Sequence, residues 1–185
     1  MKYNNEFSSR NRKKILTTHA GSLPRPFPLV ELYAKRGSGE YINEKELKAQ
    51  SEEATRWVVN KQAEIGIDIP SNGEQSREAF FLYVQRRMTG FSGKWCRPSG
   101  SELNDYPEYK SIRDASLKQK VAVSNFAPPI AKSSVTYSGK KENLDELNLL
   151  HDVIANYSSA FSDVFITAPS PGIVSTAMKN EFYKT

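Results

Sequence analysis

A short β-prone run, a long amphipathic helix and a second β-prone run follow one another near the start of the chain, and this order restricts its fold more than any other feature. Between Asn43 and Gly66, Asn43 and Glu46 form a capping box, Leu47, Ala54, Trp57, Val58 and Ile65 recur at helical spacing, and Gly66 supplies a terminator. The spacing predicts a helix over 43–66. Before it, Ile15-Leu16-Thr17-Thr18 has the apolar, β-branched character of a buried strand and ends at His19-Ala20-Gly21-Ser22, followed by Pro24 and Pro26. After it, Ile67-Asp68-Ile69-Pro70 runs into the polar loop Ser71 to Gln75. Two strands joined through a helix pair in parallel, because the crossover returns the chain to the same end of the sheet.

The remainder continues the alternation. Ser76 to Met88 reads as a helix with Phe80, Phe81, Val84 and Met88 facing inward, and Phe91 to Lys120 as a long irregular excursion punctuated by Gly93, Pro98, Gly100 and Pro107. Val121 to Phe126 and Ile130 to Tyr137 are β-prone, and one of them is expected to be a third strand. A second capping box, Asn143 with Glu146, opens a helix carrying Leu147, Leu150, Ile154, Tyr157 and Phe161; Asp163 to Ala168 is expected to be a fourth strand before Pro169-Ser170-Pro171-Gly172. The class is therefore α/β. An open doubly wound sheet and a closed barrel share this alternation, but the Gly-x-Gly-x-x-Gly fingerprint of dinucleotide folds is missing after the first strand, which favours the (β/α)8 TIM-barrel type. Such a barrel has eight strands in about 250 residues, and only about the first four are found here. The expected organisation is a basic lead-in over 1–14 and the front part of a barrel over 15–185.

Composition narrows the function classes. The net charge of +5 has a local focus at Arg10, Arg12, Lys13 and Lys14, but no aromatic-interleaved basic motif accompanies it, so no nucleic-acid partner is expected. No apolar run approaches the roughly 20 residues of a membrane span. The first residues lack the apolar core of a secretory signal, and one cysteine excludes an internal disulfide, so a reducing, cytoplasmic setting is expected.

Barrels of this type place their chemistry in loops at the C-terminal ends of strands, so the loops holding Ser22, Glu74 and Ser170 should converge. Gly21 permits close backbone approach, Ser22 offers a hydroxyl and an amide, and Glu74 an acceptor charge suited to an ammonium; together they suit an amino acid. Taken singly, Ser22 also fits a turn cap and Glu74 a carboxylate favoured by a helix N-terminus. His19 fits either a base or metal ligand, or a hydrogen-bonded residue that shapes its loop. His151 falls on the polar phase of its helix, and Cys96 is a solitary thiol with no visible base. A thiolate-rich zinc site needs two or more Cys, so any such site lies outside this chain.

The segment Leu16-Thr17-Thr18-His19-Ala20-Gly21-Ser22-Leu23-Pro24 resembles the strand and Gly-Ser loop that open the catalytic barrel of cobalamin-independent methionine synthases. Gly66 to Glu78 is similar to the family's second-strand segment, where a His-Gly-Glu sequence precedes an Arg. Met88-Thr89-Gly90-Phe91 resembles its Leu-x-Gly-Phe, Lys94-Trp95-Cys96-Arg97-Pro98 its basic loop, and Pro128-Pro129-Ile130 and Thr167-Ala168-Pro169-Ser170 resemble later landmarks in the same order. The resemblance runs from about Ile15 to the end.

It implies methyl transfer from 5-methyltetrahydrofolate to the thiol of homocysteine, with Ala20 (by its backbone), Gly21, Ser22 and Glu74 holding the thiol substrate. Lys94, Trp95, Cys96 and Arg97 would lie near the folate, where positive charge suits a polyglutamate tail. Zinc is expected in the full-length family, its ligands coming from strands beyond this chain, so the chain alone should not turn over. His19 in place of an apolar residue and Asn72 in place of the family's His resemble shorter single-barrel relatives, including epoxyalkane:coenzyme M transferases. These imply the alternative of zinc-dependent alkyl transfer to another thiol. A non-catalytic half-barrel is the other alternative, because an open barrel edge favours self-association.

Overall fold

The computed structural model describes residues 14–95, 101–119, 128–157 and 159–184. Its first helix, α1 (Phe27–Ser38), begins directly after the loop marked by Pro24 and Pro26. Pro26 precedes it and Pro28 sits in its first turn, where a missing N–H costs nothing and the fixed φ suits a helix. The long helix α2 (Glu44–Glu64) forms where its signals place it. Asn43 Oδ1 accepts from the amides of Lys45 at 3.0 Å and Glu46 at 3.4 Å. At the other end Gly66, at φ +77°, donates to the carbonyl of Ala63, and Ile67 donates to that of Gln62. This paired closure needs a left-handed residue, which glycine supplies without a Cβ penalty.

The buried face of α2 is Leu47, Ser51, Ala54, Thr55, Val58, Val59 and Gln62. Trp57 and Ile65, expected inside, are instead 50% and 73% exposed. Each helical residue turns by about 100°, so Trp57 lies one step off the stripe that Ala54 and Val58 define. Leu29 and Tyr33 of α1 pack on Leu47 and Ala54 to form one core cluster.

The two β-prone runs that flank α2 do lie side by side and parallel, but they meet at a single bridge, Thr18 with Ile69. The amides of Asp68 and Ile69 both donate to Thr17 O at 3.1 Å. The segment 162–165 lies along the other side of the second run: Ser162 N donates to Asp68 O at 2.8 Å and Phe165 N to Pro70 O at 3.4 Å. Asp163 to Ala168 thus neighbours the second run directly, although it forms no regular strand. The first run is not buried, since Ile15 is 91% exposed and Leu16 is 39% exposed.

The regular strands lie elsewhere. After the one-turn helix α3 (Val84–Arg87), β1 (Phe91–Ser92) pairs antiparallel with β2 (Ile130–Ala131), which pairs parallel with β3 (Lys179–Asn180). The β2 run therefore belongs to a small mixed sheet and not to the parallel row of the first two runs. The rival third-strand segment, Val121 to Phe126, lies outside the described residues. The stretch read as irregular contains a 3-10 turn (Ser101–Asp105) and the helix α4 (Pro107–Gln119), with Pro107 again tolerated at a helix start.

Ser76 to Met88 is mostly turns, with only Val84 to Arg87 helical, and Phe80 is exposed. The helix α5 (Lys140–Ala155) starts three residues before the expected cap: Gly139 is its N-cap, and Asn143 lies within its first turn. Glu146 does not cap a helix end; it is 4% exposed. Leu150 and Val153 of α5 join Val59 of α2 and Phe161 in a second core cluster, whereas Leu147 is exposed. A third cluster, Tyr83, Val84 and Met178, includes the residue that follows α6 (Pro171–Ala177). The architecture is mixed α/β: helices packed around a parallel pair of short extended runs, with a small three-stranded sheet at one side.

Candidate functional site

Residues 71–78 form the centre of the molecule's polar interior: Asn72, Gly73, Glu74, Gln75, Arg77 and Glu78 are all buried. Burying so many polar groups is costly unless they find partners, and here most of the partners come from other elements, although Gln75 Oε1 and Arg25 Nε find none among the described residues. Tyr33 Oη donates to Gln75 O at 2.9 Å, and Gln75 Nε2 donates to Leu23 O and Pro24 O. Arg25 Nη2 donates to the carbonyls of Glu74 at 2.9 Å and Arg77 at 2.7 Å. Leu23 N donates to Gly73 O at 3.0 Å, so the loop after the first run is stitched to the loop after the second.

At the seam of these loops, Ser22 Oγ donates to Glu74 Oε2. Thr167 Oγ1 donates to the carboxylate's other oxygen at 2.8 Å. Glu74 itself has φ +56°, uncommon for a residue with a side chain, and its amide donates to Asn72 Oδ1 at 3.0 Å. Its carboxylate is 1% exposed, directly beneath Ser22, which is exposed. The loops of Ser22 and Glu74 do converge. The third loop contributes Thr167, while Ser170 caps α6 by accepting from Ile173 N at 3.2 Å.

A second charged layer lies behind. Glu146 Oε1 accepts from Asn72 Nδ2 at 2.7 Å and Arg77 Nε at 2.8 Å, and its Oε2 accepts from Arg87 Nη2 at 2.6 Å. Arg77 Nη1 donates to Thr167 O at 2.6 Å. The Tyr83 ring lies within 4.6 and 4.7 Å of the Arg77 and Arg87 guanidinium carbons. Glu78 pairs with Arg36 at 2.5 Å and Arg86 at 2.8 Å. Burial lowers the Arg25 guanidinium against the pull of Tyr33 and Glu74, and raises the Tyr33 phenol. At the foot of the second run, Asp68 is held down to about 2, first by the Lys14 ammonium and then by the Thr17 amide and hydroxyl.

Of the other residues singled out by sequence, Ala20 is exposed and Gly21 has φ +100°. His19 is half-buried, and its Nε2 has no partner among the described residues. His151 is at the surface, its side chain 83% exposed. Lys94 Nζ donates to Gly37 O at 3.1 Å, at the C-terminal end of α1. Trp95 N donates to Pro128 O at 3.1 Å, and Cys96 and Arg97 lie outside the described residues.

Sequence reading missed Arg25, Asn72 as a bridging amide, Arg77, Thr167 and Glu146. One signal was present: Glu146 shares a helical phase with Leu150 and Val153, and a carboxylate on an apolar face is rarely left unpaired. As a chemical device, the arrangement is a fixed acceptor with a hydroxyl on each oxygen, suited to binding a cationic group. Among the described residues no group of three or more His, Cys, Asp or Glu is arranged to hold a metal ion. Nor, among them, is any helix long and apolar enough to cross a membrane.

No family profile matches the chain. Over 172 residues, 91% of its length, it is 28% identical to a methionine synthase from Sulfolobus acidocaldarius, spanning 42% of that protein. Over 127 residues it is 26% identical to a 5-methyltetrahydropteroyltriglutamate–homocysteine methyltransferase from Bacillus cytotoxicus, spanning 16% of that protein. A 59-residue stretch is 41% identical to the uncharacterized protein YxjH of Bacillus subtilis. The B12-independent methionine synthase from Shewanella sp. W3-18-1, solved in complex with selenomethionine, superimposes with a TM-score of 0.63 at 21% identity, over 91% of this chain and 42% of that one. The chain thus spans less than half the length of these relatives. Relatives named methionine synthase and 5-methyltetrahydropteroyltriglutamate–homocysteine methyltransferase, and a B12-independent methionine synthase of known structure, thus match this chain as a partial segment of their own length.

Proposed function

We propose that this chain is the front part of a (β/α)8 barrel, from about residue 15 onward, in a protein that transfers a methyl group from 5-methyltetrahydrofolate to the thiol of homocysteine. The observation that carries the reading is the meeting of Ser22 and Thr167 on the two oxygens of a buried Glu74 carboxylate. In this reading Glu74 receives the substrate's ammonium, which takes the place of the Ser22 hydroxyl, and Ser22 then turns to the substrate carboxylate together with the open backbone at Ala20 and Gly21. Lys94 to Arg97 are assigned to the anionic donor and His19 to the edge of the site. A relative solved with selenomethionine supports a methionine-sized ligand. Zinc is assigned to parts of the protein beyond this chain, and the chain's own residues bind and orient.

The test is calorimetric titration of the chain with methionine and homocysteine. Binding is expected in the wild type and a loss of at least about tenfold in Glu74→Ala, since an ammonium facing a removed carboxylate forfeits a charge-assisted hydrogen bond of roughly 1.5–3 kcal/mol. Equal affinity in the two proteins would remove Glu74 from the site. A second reading, a half-barrel that assembles with another copy, is favoured by the exposure of Ile15 and Leu16 on the first run.

A further inference from the structure

We infer that Glu146, on α5, is a positioning residue that sets both the backbone and the carboxylate of Glu74 through two hydrogen-bonded arms; the functional meaning of this rests on the reading of Glu74 as the ammonium acceptor. The first arm runs through Asn72. Its Nδ2 donates to Glu146 Oε1 at 2.7 Å, and because the amide is planar, that contact turns Oδ1 toward the Glu74 amide, 3.0 Å away. A side-chain acceptor at this point favours the left-handed conformation of Glu74, φ +56°, which is uncommon for a residue with a Cβ.

The second arm runs through Arg77. Its Nε donates to the same Glu146 oxygen at 2.8 Å, and its Nη1 donates to Thr167 O at 2.6 Å and reaches Thr167 Oγ1 at 3.3 Å. An arginine donates only, so the Thr167 hydroxyl must accept from it and turn its own hydrogen outward, onto Glu74 Oε1 at 2.8 Å. The polarity of the whole chain of bonds is fixed by the charge at its root. Glu146 is 4% exposed, and its second oxygen is occupied by Arg87 at 2.6 Å, so water does not compete for it. Anchoring α5 would require the Arg87 pair alone; the two remaining contacts both lead to Glu74.

The experiment uses the full chain with Glu146→Ala and Glu146→Gln. Amide hydrogen exchange at Glu74 is read by NMR against the core amide of Val58, together with the carboxyl carbon resonance of Glu74. In Glu146→Ala, exchange at Glu74 is expected to rise about tenfold or more relative to Val58, with a displaced carboxyl resonance, as local opening separates from global stability. Glu146→Gln keeps an acceptor for Asn72 and should restore most of the amide protection. Glu74 exchanging at the wild-type ratio in folded Glu146→Ala would overturn the proposal. If that variant does not fold, Asn72→Ala and Thr167→Val each cut one arm. The first should raise the exchange and the second should move the carboxyl resonance; neither doing so overturns it equally. Methionine titration of the wild type is read separately: no binding there sinks the functional reading and leaves the exchange result to decide the role of Glu146.

Discussion

Gly73 and Glu74 hold consecutive left-handed conformations, φ +58° and +56°, and this pair turns the second run into its loop. Only the glycine is also crowded. A Cβ there would lie 2.9 Å from Val58 Cγ1 and 3.1 Å from Leu23, so Gly73→Ala combines backbone strain with overpacking of α2. A loss of about 1–3 kcal/mol is expected, measured as a lower urea midpoint at unchanged slope. Asp68 makes a prediction of a different kind. Its carboxylate is held down to about 2 by Lys14 and Thr17, below its value of about 3.9 in an unfolded chain. A lowered folded value means the unfolded chain takes up the proton first. The contribution is therefore fully present above about pH 4 and is lost as pH falls toward about 2. Denaturation midpoints measured across that window should fall more steeply in the wild type than in Asp68→Asn; parallel curves would remove Asp68 as the cause.

At the scale of elements, signals that close within one turn were legible and those that depend on distant partners were not. The start of α2 was readable because Asn43 caps it locally, and Asn43→Ala should cost about 1 kcal/mol, again read from urea unfolding. The same pattern misled at Asn143 and Glu146. There the helix begins at Lys140, and Glu146 is drawn inward by Arg77 and Arg87, residues about sixty to seventy positions away in the chain. A capping box specifies which amides can be satisfied locally, but a buried ion pair outranks it when the carboxylate faces the core. Ser76 to Met88 shows the same conflict. Its apolar spacing fits a helix, yet Arg77 and Glu78 are held by Glu146, Arg36 and Arg86, and the chain follows those contacts through turns instead. The helix α4 lies in the stretch expected to be irregular because Pro107, a breaker inside a helix, stands at its start, where its missing N–H costs nothing.

At the scale of the whole molecule, the three extended segments at Thr17, Asp68 and Ser162 lie side by side with apolar residues turned to solvent: Ile15 is 91%, Leu16 39% and Val164 42% exposed. An uncovered row of this kind favours association. Sedimentation velocity over a hundredfold concentration range should show a shift to larger species in the wild type, reduced in an Ile15→Glu, Leu16→Glu double variant; a concentration-independent monomer would remove the assembly reading. Local signals along the chain are enough to give the α/β class, the helix α2, the neighbouring parallel runs on either side of it, and the candidacy of Ser22 and Glu74. Each of these rests on interactions within a few residues or on chemistry carried by one side chain. Packing in three dimensions makes Thr167 the third member at the carboxylate, sets Asn72, Arg77 and Glu146 as the layer behind it, and puts the 130–131 strand in a separate small sheet. The physical reason is common to all three. A buried polar group is stable only beside its partner, and which distant partner it meets is set by how the elements pack, a quantity that no local spacing encodes.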